Sequence, residues 1–259
     1  MNKIDSTHDP VIETGASAWM KYAIGMALAV LPLFLLKDDP HWLNIIAFTY
    51  LMGGLASAWN IIGGFGGQFS LGHGVFFGIG AYTVGILITE GFTNGWAGFA
   101  IAMGLSALAA AIIGAISLRT RGVYFIMITL AFAQMIYYLV NSIKAYGGDE
   151  GLNIKQRSDF GLGLDLKNDV TFYFLVLFVL ILTLVLISRI MHSRFGRVIH
   201  AIRDDDVRVD AIGFASYRYK WVLFVIAGTL GGLAGALMVN HQNYVSPNLM
   251  HWTQSGILM

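Results

Sequence analysis

Polar side chains are scarce in this sequence, so those that recur at helical or turn spacing inside its apolar stretches are where chemistry has to be sought. Gln68, Ser70 and His73 fall within residues 63–74, where six of twelve positions are glycine. An imidazole beside an amide and a hydroxyl suits hydrogen bonding, proton relay or metal ligation. Relay and ligation both need further acidic or imidazole partners, and no Asp or Glu lies within the neighbouring apolar stretches. His73 therefore reads first as a hydrogen-bonded packing residue. Glycine at this density disfavours a continuous helix, because each one costs up to about 1 kcal/mol relative to alanine. Two readings stay open. In one, a turn is followed by a tightly packed helix with Gly74 and Gly78 in Gly-x-x-x-Gly spacing. In the other, Gln68, Ser70 and His73 border a polar cavity.

Three further groups stand out. Gln134, Tyr138 and Asn141 follow Thr129 at i, i+4 and i+7, one stripe on a helix. Interhelical hydrogen bonding and the lining of a pore explain that stripe equally well. Residues 191–220 carry an apolar patch, Val198, Ile199 and Ile202, with Arg194, Arg197 and Arg203 projecting elsewhere, which predicts a short amphipathic helix. Asp204, Asp205 and Asp206 suit the positive end of a second short helix that Gly213 ends. Such a pair could rest on anionic headgroups, but four acids among its six Lys and Arg residues favour a protein partner. Residues 145–152, continuing to Asp169, are rich in glycine and acid and read as a mobile polar loop.

The elements that must hold these groups are membrane spans. Hydrophobic residues make up 56% of the 259 positions and charged residues only 12%, about half the share of a soluble domain. Seven apolar stretches, 19–36, 42–62, 69–89, 96–118, 123–140, 170–190 and 221–239, are each long enough to cross a hydrocarbon core of about 30 Å. They are apolar on all sides and lack the alternation of a β-barrel strand, so the predicted class is all-α, a polytopic bundle of about seven helices with the start of an eighth. With the N-terminus inside, eleven of the sixteen Lys and Arg residues fall on the inner side, which makes 1–18 a cytoplasmic tail, 191–220 an inner segment and 141–169 an outer loop of one domain, 19–259. The first span is expected to be an uncleaved anchor rather than a signal peptide. In this setting the sharper reading of Gln68, Ser70 and His73 is that they border a translocation path.

Much is excluded. The chain has no cysteine, so disulfides, thiolate metal sites and cysteine nucleophiles do not arise. No glycine precedes a lysine, which removes the phosphate-binding loop of nucleotide-hydrolysing proteins. Neither a His-Glu-x-x-His motif nor a Gly-x-Ser-x-Gly elbow occurs, so an enzyme reading finds no catalytic residues and no metal site. A net charge of +1 argues against nucleic acid as a partner.

Several of these motifs, taken in order and spacing, resemble the LivM-type permease family. They are 67–74 with 80–82, 121–124 with Thr129 and Leu130, 147–152, and 193–197 with 201–203, joined by 228–236 and 244–247, so that the resemblance runs over about residues 40 to 259. These permeases are membrane subunits of bacterial ABC importers for branched-chain amino acids, with relatives for urea or aromatic acids. The resemblance implies a multi-pass protein of the bacterial inner membrane that works beside a second, similar permease subunit, two cytoplasmic ATPases and a periplasmic binding protein. ATP would be bound by those partners and this chain would need no cofactor. Carried over by position, Arg194, Phe195, Gly196, Arg197, Ala201, Ile202, Arg203, Asp204 and Gly213 would couple to the ATPase. Gly147, Gly148, Asp149 and Gly151 would face the binding protein, and Gln68, Ser70, His73, Tyr82, Tyr124, Thr129 and Gln134 would lie near the path. Family members continue past the Ser246-Pro247 motif with further spans, so a missing C-terminal part is expected here. The alternative from another class is a channel or secondary carrier with broken helices and no ATPase.

Overall fold

The computed structural model describes residues 39–154, 157–161 and 168–257. The first apolar stretch and the polar tail before it lie outside the described residues. Each of the six later stretches forms a helix: α1 Pro40–Asn60 continuing as a π turn Ile61–Phe65, α2 His73–Thr89, α3 Gly95–Ser117, α4 Val123–Ser142, α5 Asp169–Met191 and, after two short helices, α8 Ser216–Gln242. Five are long and apolar enough to cross a membrane, and α2 is shorter. The short helices are α6 Arg194–Asp204 and α7 Asp206–Ala211, and α9 Trp252–Ile257 follows a 3-10 turn Pro247–Met250.

Local chemistry sets the boundaries. Asn94 accepts the Ala97 N–H, Asn168 that of Val170 and Ser193 that of Gly196, so α3, α5 and α6 each begin on a side-chain cap. The turn between α3 and α4 ends at Gly122, whose φ of 60° suits a residue without Cβ.

α8 is the centre of the bundle, packed on α1, α2 and α3. Small residues permit this. A methyl group on Gly80 would overlap the carbonyl oxygen of Gly232, and one on Gly235 that of Phe77, so the backbones of α2 and α8 nearly touch. Aromatic side chains fill the spaces on either side. Phe76, Phe224, Ile61 and Ile199 anchor the core toward the end that carries Arg121 and Arg203, the basic end. Phe77, Phe172, Tyr173 and Val239 anchor it toward the opposite end. There two short strands, β1 Leu152–Asn153 and β2 Tyr244–Val245, pair antiparallel with Leu152 opposite Val245.

Candidate functional site

The break between α1 and α2 is the first feature of the site. The expected span 69–89 is helical only from His73, and residues 66–72 run as irregular backbone. Trp59 Nε1 donates to the Ser70 carbonyl at 3.2 Å, and Gly72 packs against the backbone of Thr129. Trp59 lies six residues inside the end of the π turn and Thr129 six residues inside the start of α4. At about 1.5 Å of rise per residue, Ser70 and Gly72 therefore sit about 9 Å within the bundle. Irregular backbone at that depth is tolerated because protein surrounds it: Ser70 and Thr129 are fully buried and the Ser70 hydroxyl accepts the Gly72 N–H. The first turn of α2 is closed from far away, by Ser255 Oγ accepting the Gly74 N–H at 2.8 Å. Gly74 and Gly78 seat the segment 249–255, with Met250 against Gly78, so their spacing serves this returning chain while Gly80 serves α8. Replacing Trp59 with phenylalanine should cost about 1 kcal/mol by leaving the Ser70 carbonyl without its donor. The check is a lower unfolding midpoint in detergent; an unchanged midpoint would mean that the 66–72 segment holds itself.

The structure gathers only part of the expected path. Ser70, Gly72 and Thr129 meet in one place, and Gln68 lies just beyond them toward the basic end. His73 is fully buried against Phe76 and Gly231, and neither ring nitrogen has a partner among the described residues. Tyr82 stands farther along α2, buried near the opposite end. On α4, the least enclosed of the long helices, Tyr124 and Tyr138 are exposed while Gln134 and Asn141 are half-buried. Among the described residues no cluster of His, Asp and Glu could hold a metal ion.

At the basic end, α6 buries Gly196, Ile199 and Ile202 against the bundle and turns Arg194, Arg197, Ala201 and Asp204 outward. Phe195 stacks on Tyr219 of α8 with ring centroids 5.4 Å apart. Asp205 caps α7 by accepting the N–H groups of Val207 and Arg208, each at 3.1 Å, and pairs with Arg208 at 2.7 Å. Gly213, with φ 94°, follows the end of α7. The Ser216 N–H and hydroxyl hold the Asp210 carboxyl below the usual carboxylate range, with weaker help from Arg121 and Lys220. Asp206 accepts Lys220 Nζ at 3.0 Å and lies 3.4 Å from Arg121 Nη2, which ties α7 to α8 and to the α3–α4 turn. Sequence reasoning named Asp206 and Arg121 but not their meeting with Lys220, since nothing in the sequence brings the three together. Between the 66–69 segment, the start of α4 and the α6–α7 junction lies a cavity of about 370 Å³.

At the opposite end the segment expected to be mobile is a compact double turn. Gly147, Gly148 and Gly151 all adopt positive φ, Gly148 is buried, Asp149 points outward, and Tyr244 Oη donates to the Glu150 carbonyl at 2.8 Å. β2 and Tyr244 hold this turn in place, a pairing between residues about ninety positions apart that composition cannot reveal.

Comparison with known proteins places the chain by family. The chain is 28% identical to the high-affinity branched-chain amino acid transport system permease protein LivM of Escherichia coli (strain K12), over 90% of this chain and 60% of that protein. It is 27% identical to the protein of the same description from Salmonella typhimurium (strain LT2), over 90% of this chain and 61% of that one. The chain thus spans about three fifths of the length of these curated relatives. No solved structure matches it. The family model for the permease component of branched-chain amino acid transport systems matches residues 42–258, most of a polytopic helical bundle, and the chain belongs to that family.

Proposed function

We propose that this protein is a transmembrane permease subunit of an ATP-driven bacterial importer for branched-chain amino acids or a related small polar metabolite such as urea or an aromatic acid. One observation carries the reading. The α6–α7 segment is clamped to the bundle by its buried face, yet it leaves Val207 and Ile212 61% and 73% exposed beside the outward Arg194 and Arg197. Apolar residues set among charges at a helix-bundle end suit burial by a protein partner. That partner is a cytoplasmic ATPase, with the basic end inside the cell in keeping with the positive-inside rule.

Closure of two ATPases would push on α6 and α7. Asp206 would transmit the movement to α8 and to the α3–α4 turn, tilting helices so that the path opens to one side at a time. The double turn at the opposite end would receive a periplasmic binding protein. The stripe of Gln134, Tyr138 and Asn141 on the open face of α4 suits the seam with a second permease subunit. A path bordered by Gln68, Ser70 and Thr129 passes a zwitterion without gripping it, which leaves selectivity to the binding protein.

A cysteine at Arg197 or Asp205 should crosslink to a co-expressed ATPase, and Arg197→Glu should lower ATP-dependent leucine uptake about tenfold, a loss of about 1.4 kcal/mol in coupling. Labelling of this segment from outside the cell, or uptake unaffected by Arg197→Glu, would sink the reading. The interruption before α2 favours one other account, an ATPase-independent carrier built on a broken helix. That account requires leucine transport in vesicles that contain no ATPase.

A further inference from the structure

After β2 the chain turns back into the bundle. Val245 packs on Gly85, Met250 on Gly78 and Ser255 on Gly74, so residues 246–255 descend along eleven residues of α2, about 16 Å, toward the basic end. The Pro247–Met250 turn and α9 also touch α4, where the His251 ring meets that of Tyr137 with centroids 5.3 Å apart. The segment is thus a wedge between α2 and α4, with Pro247, Met250 and Ser255 buried. It stops two residues short of Gly72, which packs directly on Thr129 of α4. Internal bonds hold the wedge together. The Leu249 N–H donates to the Ser246 carbonyl at 3.1 Å and the Gln254 N–H to the His251 carbonyl at 3.0 Å. Its tie to α2 among the described residues is one hydrogen bond, from the Gly74 N–H to Ser255 Oγ. Elsewhere it rests on glycine and on an aromatic ring.

We infer that residues 246–255 are a movable gate at the end opposite the cavity, seated shut in this structure. The two sides of the crevice between α2 and α4 differ. On the basic side the cavity reaches Phe125 and Ile126, within about one helical turn of Thr129, and opens past Arg121, whose side chain is 66% exposed. On the other side the wedge fills the crevice, so Ser70 and Thr129 are reachable from one end alone. A buried polar atom marks the seated state as incomplete. Tyr82 stands one turn outward from Gly78 on the same face of α2, and its hydroxyl has no partner among the described residues. It bears the cost of an unmade hydrogen bond while the wedge is in place, and water would relieve that cost once the wedge withdrew. Withdrawal is a small shear rather than unfolding, because the glycine seats offer no side chains to disengage and one hydrogen bond breaks. The inference rests on the permease reading for there being a path to gate.

A Cβ on Gly74 would stand 3.4 Å from Gln254 Cβ, close to the roughly 3.5–4.5 Å that a disulfide spans, and the chain has no cysteine of its own. The test joins Gly74→Cys to Gln254→Cys in the full chain, assembled in vesicles with its ATPases and binding protein. The pair should crosslink on mild oxidation, and ATP-dependent leucine uptake should then fall about tenfold or more and return on reduction. The reduced pair, transporting near the parent rate, is the control for folding. A second measurement uses Ser255→Cys alone, which lies under the seated wedge. An impermeant maleimide on the outer face should label it about fivefold faster or more during turnover than at rest. No disulfide in the pair, crosslinked protein that transports like the reduced form, or Ser255→Cys labelling that turnover leaves unchanged would overturn the gate. Should the reduced pair itself be inactive, the labelling of Ser255→Cys decides. A parent complex that takes up no leucine would instead overturn the permease reading, and the gate with it.

Discussion

Substituting leucine for Gly235 should prevent the chain from accumulating as a monodisperse membrane protein, whereas the same change at Gly104 should leave it intact. The two glycines differ only in what faces them. A Cβ on Gly235 would overlap the carbonyl of Phe77 and reach the Ala81 backbone nitrogen, atoms that cannot rotate away. A Cβ on Gly104, on the exposed face of α3, meets nothing within 4 Å. Overpacking an interface usually costs about 1–3 kcal/mol when side chains can shift. Here the obstacle is backbone, so α2 and α8 must separate along their crossing, and the cost should exceed that range. At Gly104 helix propensity favours the larger residue by up to about 1 kcal/mol. Size-exclusion profiles and unfolding midpoints in detergent, measured for both variants, check this; a Gly235→Leu protein that ran and melted like the parent would show that α2 and α8 do not cross as described.

Asp206 should give the second large effect. Its carboxylate and the Lys220 ammonium are 19% and 14% exposed, and removing the acid strands a cation at the rim of the bundle. Truncating one partner of a fully buried pair costs about 3–5 kcal/mol, and of an exposed pair about 0–1 kcal/mol. Asp206→Ala should fall between, at about 2 kcal/mol, and Lys220→Met in the same background should recover most of it because no unpaired charge remains. Arg121, 66% exposed, should contribute less than about 0.5 kcal/mol when removed alone. Denaturant unfolding of the single and double variants closes the cycle. A double variant no more stable than Asp206→Ala would refute the node as the link between α7 and α8.

Apolar run length made most of the bundle legible before any coordinates. The stretches 42–62, 96–118, 123–140, 170–190 and 221–239 coincide with α1, α3, α4, α5 and α8 to within a few residues, because a chain that must satisfy its backbone in lipid has few other options. The amphipathic pattern after Met191 was equally plain, and α6 buries the apolar face that it called for. The start of α2 was not legible. Whether glycines at 63–74 bend, break or pack a helix depends on Trp59, Thr129 and Ser255, which stand outside the segment. The same holds for Gly147–Gly151, where glycine and acid suggest looseness and Tyr244 imposes order. Charge pairing at the basic end was the least readable. Asp206 meets Lys220 fourteen residues ahead and Arg121 eighty-five residues behind, distances over which sequence carries no signal of contact.

The bond from the Gly74 N–H to Ser255 Oγ also has a bearing on biosynthesis. Its two residues are 181 positions apart, so at about 5–20 residues per second the ribosome delivers the acceptor roughly 10–40 s after the donor. Through that interval the Gly74 amide lacks the hydroxyl that it meets in the folded chain, and α2 lacks most of α8, against which it packs. The first turn of α2 therefore reaches its final hydrogen-bonded state only when the last described turn of the chain arrives.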